Sequence, residues 1–190
     1  MSLLRPLARA ALRPTTTPFA TRAFSTTFPR LIKPGQPLPD VGAILHESNP
    51  GNKVNLTDDA SKLNNLILIG VPAAFSPACS ATHVPGFLQH PKAQDYDQIA
   101  VVSVNDVFVM KAWGDVLNPE GRENVRFLAD PSGEFTKALD MLWDGKAIFG
   151  NERSKRYTIV VEGGKVKSVA VEPDNTGTSV SLAENVLGKA

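Results

Sequence analysis

Apolar and polar positions fall into blocks along this chain, and the blocks read as elements of two kinds. The stretch NNLILIGVPA, Asn64 to Ala73, is a continuous apolar run bounded by asparagines and Pro72. Such a run predicts a strand buried on both faces. DQIAVVSVND predicts a second buried strand that closes at Asp106, an N-cap for the helix VFVMKAWGDVL. Between them, the segment from about Pro77 to His90 predicts a helix kinked or interrupted at Pro85, whose ring cannot continue the backbone ladder. VRFLADPSGEFTKALDML predicts a strand over Val125 to Leu128, a turn, and a helix from about Gly133 to Leu142. In RYTIVVEGGKVKSVAVEP two β-rich runs flank Gly163-Gly164, the composition of a tight hairpin. Ser181 and Glu184 have the spacing of a capping box for a terminal helix. Upstream, the Pro- and Gly-rich KPGQPLPDVGAILHE suits an extended lead-in or short strands.

The resulting order is strand, helix, strand, helix, strand, helix, hairpin, helix. Alternation of this kind predicts an α/β fold: a mostly parallel central sheet flanked by helices, with the hairpin adding antiparallel strands. At 190 residues, 42% hydrophobic and 21% charged, the chain is long enough to bury a substantial core without disulfides. The longest apolar run is too short to span a bilayer.

Charge changes the picture at one end. Residues Met1 to Pro39 contain no Asp or Glu, yet they carry Arg5, Arg9, Arg13, Arg22, Arg30 and Lys33. Spaced arginines among Leu, Ala, Ser and Thr, with acids absent, are the composition of a mitochondrial transit peptide. We therefore expect residues 1–30 to be a targeting leader, cut near Phe24 within RAFSTT, and residues 31–190 to be one globular domain. The matrix is favoured over the intermembrane space as destination. Losing Arg5, Arg9, Arg13 and Arg22 leaves 16 basic residues against 19 acidic ones. A mildly acidic domain without a basic stripe argues against nucleic-acid binding, and nothing in it asks for a membrane.

The candidate chemistry centres on the only cysteine, Cys79, in GVPAAFSPACSATHVPGF. A lone cysteine cannot close an internal disulfide. The predicted strand, turn and helix put Cys79 in or near a first helical turn, where the helix dipole favours thiolate over thiol. Pro72 and Pro77 stiffen the loop, and Ser76 offers a hydroxyl close to the sulfur. The alternative is that Cys79 is one more small buried hydrophobe. His83, four residues on, shares its helix face; a Cys–His dyad, a metal pair and a local hydrogen bond that holds the loop are all open. His46 and His90 lack ligand spacing with this pair, so a metal site has little support.

The Cys79 segment resembles the active-site segment of peroxiredoxins: Pro72, three residues, Ser76 in the Thr/Ser position, two residues, Cys79. CSATHVPGF is similar to the type II, peroxiredoxin-5-like subfamily, as are VVSVNDVFVMKAWG, FLADPSGEFTKALDM, SKRYTIVVEGGKVKSVAVEPD and SLAENVL, in that order. The resemblance runs from about Ile32 to Leu187. It implies a thioredoxin fold with peroxiredoxin insertions and a thiol-dependent peroxidase that needs no cofactor beyond an external thiol. Cys79 would be the peroxidatic cysteine, Ser76 would orient the peroxide, and Pro72 would shield the sulfur. The family's distant arginine falls on Arg156, with Arg153 and Lys155 as nearby alternatives. Ser76 lacks the methyl of the family's usual Thr, so its rotamer is less restricted.

One departure matters. Where many animal members carry a resolving cysteine, this chain has Val180. The resemblance then implies a one-cysteine cycle, with hydrogen peroxide and alkyl hydroperoxides as substrates and either glutathione with glutaredoxin or thioredoxin as reductant. It also implies a role in redox homeostasis and oxidative-stress defence. Family members commonly form homodimers beside the active site, and Phe75 with the helix bearing Phe108 and Trp113 could supply such a face or belong to the core. Two other functions compete with this one. A thioredoxin- or glutaredoxin-type oxidoreductase would usually need Cys-x-x-Cys, whereas Ser80, Ala81 and Thr82 follow Cys79. A redox-sensing or chaperone-like partner protein on the same fold would be marked by loss of Ser76 or Arg156, and both are present.

Overall fold

The apolar runs do become the centre of the molecule. A computed structural model describes residues 31–189, so the leader and its cleavage site lie outside the described residues. Nine strands form: β1 (Leu45–Glu47), β2 (Asn49–Val54), β3 (Asn65–Gly70), β4 (Gln98–Ser103), β5 (Val125–Ala129), β6 (Leu142–Trp143), β7 (Arg153–Ser154), β8 (Tyr157–Glu162) and β9 (Lys165–Val171). Seven make one sheet in the order β2-β1-β5-β4-β3-β8-β9, and β6 pairs with β7 apart from it. The β3–β4 and β4–β5 pairs are parallel, while β8, β9, β1 and β2 join antiparallel. The sheet is mixed, but it is not mostly parallel as the element order suggests: two of its six pairs are parallel, and β1 and β2 from the lead-in add antiparallel pairs beyond those of the hairpin.

Two cores lie on its two faces, and the period of two along β3 builds both. Leu66 and Leu68 pack with Leu45, Ala100, Leu128, Phe135 and Ile159. Ile67 and Ile69 pack with Cys79, Phe87, Ile99, Trp113 and Phe127 on the other side. The candidate nucleophile is thus carried on the second face, beneath the helices. β3 ends at Gly70, opposite Tyr157 of β8. A Cβ at Gly70 would overlap the Tyr157 ring, so only glycine lets this pair close.

The helices are α1 (Leu56–Lys62), α2 (Val84–Gln89), α3 (Val107–Leu117), α4 (Glu134–Ala138), α5 (Lys146–Phe149) and α6 (Ala183–Leu187). Asp106 caps α3 as expected, its carboxylate accepting from Val109 N at 2.9 Å. Gly163 and Gly164 make the hairpin turn with φ of 54° and 73°, the left-handed pair that a tight two-residue turn demands.

Three further expectations are corrected. The helix from Pro77 is not broken at Pro85; the irregularity precedes it, as a π turn over Cys79–His83 in which Val84 N donates to Cys79 O. A regular turn would drive the Pro85 ring against the carbonyl four residues back, and the wider π turn avoids that clash. The helix expected over Gly133 to Leu142 stops after Ala138, where Asp140 adopts a φ of 60°. The capping box does not form: Leu182 caps α6 without a side-chain bond, because the Ser181 hydroxyl donates to Glu172 instead. Helix α1 had no reading in the sequence at all, although Asn55 caps it by accepting from Thr57 N and Asp58 N.

Candidate active site

The chain leaves β3, passes Pro72, turns at Phe75 and enters the helix that carries Cys79. Phe75 has a φ of 59°, an uncommon conformation for a bulky residue, and the reversal turns Ser76 toward the sulfur. The loop is held from beneath. Ala74 N donates to Asn105 Oδ1 at 3.1 Å, and Ser103 Oγ lies 2.8 Å from the same oxygen and 3.1 Å from Val71 O. Pro72 is buried, so its ring closes the loop's inner side with no N–H to satisfy.

Cys79 is fully buried and unpaired. Two groups aim at its sulfur. Ser76 Oγ is 2.8 Å from Sγ and 3.0 Å from Ala73 O. A hydroxyl has one proton and can also accept, so Ser76 serves either state of the sulfur. It accepts from a thiol while donating to Ala73 O, or turns its proton onto a thiolate. The second group is Arg156, only 2% exposed, whose Nη1 donates to Sγ at 3.3 Å. Arg156 immediately precedes β8, whose first residue Tyr157 pairs with Gly70 at the end of β3. Arg153 and Lys155 are occupied elsewhere: Arg153 Nη1 donates to Val104 O at 2.6 Å, and Lys155 Nζ to Asp140 O at 3.2 Å.

His83 links the cation to the far loop. Its Nδ1 lies 3.2 Å from Arg156 Nη1, and a guanidinium can only donate, so Nδ1 accepts. The ring proton is therefore on Nε2, which donates to Ser181 O at 3.2 Å. Burial lowers the His83 pKa to about 3, with the Arg156 charge acting in the same direction. His83 is a neutral strut, the local hydrogen-bond role among those its spacing allowed. Among the described residues, no group of three or more His, Cys, Asp and Glu is arranged to hold a metal.

Sequence reasoning missed Glu172. Just past β9, it is 1% exposed and its carboxylate takes hydrogen bonds from Ser179, Val180 and Ser181. The signal was weak because the donors are main-chain N–H groups and two serine hydroxyls of a loop seven to nine residues on, with no opposite charge to mark the pairing. Val180, in the middle of that loop, is 41% exposed. Phe75, in the loop before Cys79, and Phe108, in the first turn of α3, are exposed, whereas Trp113 is core and donates its indole N–H to Ser80 Oγ at 3.0 Å.

A buried sulfur that meets a hydroxyl and a guanidinium is arranged to carry negative charge and to react as a nucleophile. The Redoxin family model matches residues 33–187. The chain belongs to the redoxin family, among its peroxiredoxins. Peroxisomal membrane associated protein 20 of Schizosaccharomyces pombe is 41% identical over 160 residues, 83% of this chain and 98% of that protein. Peroxiredoxin-2C of Arabidopsis thaliana is 38% identical over 159 residues, 82% of this chain and 96% of that protein. Among solved structures, reduced Prx3 of Vibrio vulnificus in complex with hydrogen peroxide superposes with a TM-score of 0.70 at 39% identity, covering 83% of this chain and 98% of that one. Peroxiredoxin 5 of Alvinella pompejana gives 0.67 at 38% identity, over 76% and 92%. The architecture of this peroxiredoxin is accordingly the thioredoxin-like one, and its activity is that of a thiol peroxidase.

Proposed function

We propose that this peroxiredoxin reduces hydrogen peroxide and alkyl hydroperoxides through Cys79 alone, and that an external thiol restores it. The observation that carries the reading is the convergence of Ser76 Oγ and Arg156 Nη1 on one buried sulfur. Cys79 thiolate attacks the terminal peroxide oxygen; the S–O bond forms as the O–O bond breaks. The departing hydroxide or alkoxide takes up a proton, and the sulfur is left as sulfenic acid. Arg156 stabilises the charge that moves from sulfur to oxygen. Ser76 turns its proton toward that charge, and Pro72 keeps water off the sulfur.

One external thiol then displaces water from the sulfenic acid to give a mixed disulfide, and a second thiol releases Cys79. Cys79 is the only cysteine and Val180 stands on the loop where a resolving thiol would lie, which supports an external reductant. Glutathione with glutaredoxin and thioredoxin are the two candidates. Hydrogen peroxide as a substrate is supported by the ligand named for the Vibrio vulnificus relative.

The exposed faces of Phe75 and Phe108, 53% and 65% accessible, support a homodimer closed beside the site. The acid-free, arginine-spaced leader supports mitochondrial delivery, with residues 31–190 as the working domain. The Schizosaccharomyces pombe relative is, by its name, peroxisomal. Such a place in the cell suits a part in redox homeostasis and defence against oxidative stress.

The test is peroxide consumption by the chain from Ser25 onward and by its Cys79→Ser variant, with glutathione plus glutaredoxin or with a thioredoxin system. Turnover by the first protein alone supports the cycle, and the faster system names the reductant. Localisation is tested separately by comparing the full chain with the Ser25 form, each fused to a fluorescent reporter.

A further inference from the structure

Glu172 is a buried carboxylate with no basic side chain within ion-pairing distance among the described residues. Its charge is met instead by five donors from three consecutive residues. Oε1 accepts from Ser179 N at 2.8 Å, Val180 N at 2.9 Å, Ser181 N at 2.8 Å and Ser181 Oγ at 2.7 Å. Oε2 accepts from Ser179 Oγ at 2.6 Å. Burial by itself would raise this carboxyl's pKa, but the donors outweigh it and hold the value at about 2. The main chain of the same residue ties to the arginine: Glu172 N donates to Arg156 O at 3.0 Å, and Arg156 N donates to Asn175 O at 2.7 Å.

Two carbonyls of this loop face the site: Ser181 O, on the stretch that Glu172 holds, and Thr176 O, on the turn where Asp174 Oδ1 accepts from Thr176 N at 3.3 Å and Gly177 N at 2.7 Å. Thr176 O accepts from Arg156 Nε at 3.1 Å, and Ser181 O accepts from His83 Nε2. Those two bonds orient the guanidinium and the imidazole, which meet each other and, through Nη1, the sulfur. A route of direct contacts thus runs from the Glu172 carboxylate to Cys79, although Glu172 touches neither sulfur nor guanidinium.

The chemistry gives a reason for the detour. A carboxylate paired directly with Arg156 would aim it well, but it would also neutralise the charge that the sulfur needs. Arg156 has no acidic partner within ion-pairing distance among the described residues. A neutral carbonyl and a neutral ring aim it, and the anion that fixes the ring's own partner, Ser181 O, is met by N–H and O–H donors. The cation stays available to the thiolate.

We propose that Glu172 is a positioning residue for the reaction at Cys79: it fixes residues 179–181, whose Ser181 carbonyl holds His83 against Arg156 and so aims the guanidinium at the sulfur. The inference rests on the peroxidase reading above, and it adds a residue that neither the Pro72–Ser76–Cys79 pattern nor Arg156 itself accounts for.

The test is a cycle of Glu172→Gln and Arg156→Met, singly and together, each checked for a cooperative thermal transition. Two single-turnover rates are read from Trp113 fluorescence or mass change: oxidation by hydrogen peroxide and alkylation by iodoacetamide. Alkylation needs only an accessible thiolate, whereas peroxide also needs a cation at the departing oxygen. E172Q keeps an accepting oxygen but replaces the acceptor for Ser179 Oγ with an amide. It is expected to slow peroxide oxidation by about 10- to 100-fold, the range a displacement near 1 Å can cause. Alkylation should slow less. In the R156M background the same change should alter both rates by less than about twofold, since no aimed cation remains to lose.

Peroxide oxidation within twofold of wild type in folded E172Q overturns the proposal. So does an equal loss with and without Arg156, which would mark a merely structural role. If E172Q fails to fold, Ser179→Ala, which removes one of the five bonds, must show a smaller loss that disappears in R156M. A wild-type peroxide rate no faster than that of a free thiol would sink the peroxidase reading instead. The alkylation rates across the same four proteins would then still decide the positioning role, a loss confined to the Arg156 background supporting it.

Discussion

Arg156 Nη1 sits between Cys79 Sγ, at 3.3 Å, and His83 Nδ1, at 3.2 Å. One nitrogen thus gives one proton to the sulfur and the other to a neutral ring that fixes its direction. Replacing Arg156 by Met should keep much of the buried volume while removing that donor. Loss of one oriented donor at a charged reacting centre costs about 10²- to 10³-fold, and the peroxide oxidation rate should fall by that much. Arg156→Lys should recover little, because an ammonium lacks the fork that reaches the sulfur, His83 and Thr176 O together. Stopped-flow oxidation of the three proteins checks this.

Ser76 offers a finer probe. Its hydroxyl lies within reach of both Sγ and Ala73 O, so Ser76→Ala strips the sulfur of its nearer donor. A hydrogen bond to a charged group contributes about 1.5–3 kcal/mol, roughly a 10- to 100-fold effect on rate. Ser76→Thr keeps the hydroxyl and restricts its rotamer, so its rate should match or exceed that of the wild type. A threonine variant as slow as the alanine one would argue against the hydroxyl's part.

His83 predicts how stability depends on pH. Its pKa in the folded protein is about 3, against 6.5 for an unburied histidine. Between those values the unfolded chain takes up a proton that the folded chain refuses. Folding stability should therefore be complete above about pH 6.5 and fall as pH drops toward 3, by about 1.4 kcal/mol per pH unit at most. Thermal unfolding at pH 7, 5.5 and 4.5 measures the slope, and His83→Gln should flatten it. A wild-type slope unchanged by that substitution would contradict the buried neutral ring.

How far the sequence could be read depended on distance along the chain. The continuous apolar run over Asn65–Gly70, the Asp106 cap and the Gly163-Gly164 turn are local patterns, and each appears where the pattern put it. Ser76, Cys79 and His83 lie within eight residues, so their convergence was foreseeable; Arg156 came only through a resemblance, being 77 residues from Cys79. Local rules failed where a distant partner competed. Ser181 has the spacing of an N-cap, but its hydroxyl is turned to the buried Glu172 carboxylate, a charged acceptor 2.7 Å away. The π turn over Cys79–His83 was hidden for a related reason: Pro85 announces a disruption but does not say on which side it falls.

Gly70 tests the frame rather than the chemistry. It faces Tyr157, whose ring fills the space where a side chain would begin. Gly70→Ala should destabilise the fold by about 1–3 kcal/mol or more, as overpacking of a tight core does. It should also displace the residue next to Arg156, so activity should fall along with the melting temperature. An alanine variant that melts with the wild type would show that the β3–β8 pair can relax.

The central claim is that Cys79 is a peroxide-reactive sulfur, and rapid mixing of the reduced protein with hydrogen peroxide tests it most directly. The rate is followed by Trp113 fluorescence, and the product is trapped with a sulfenic-acid reagent and located by mass. Oxidation is expected to be orders of magnitude faster than that of a free cysteine, with one oxygen added on Cys79 and no reaction in the Cys79→Ser variant. Oxidation at the pace of a free thiol would mean that Ser76 and Arg156 do not activate the sulfur they face.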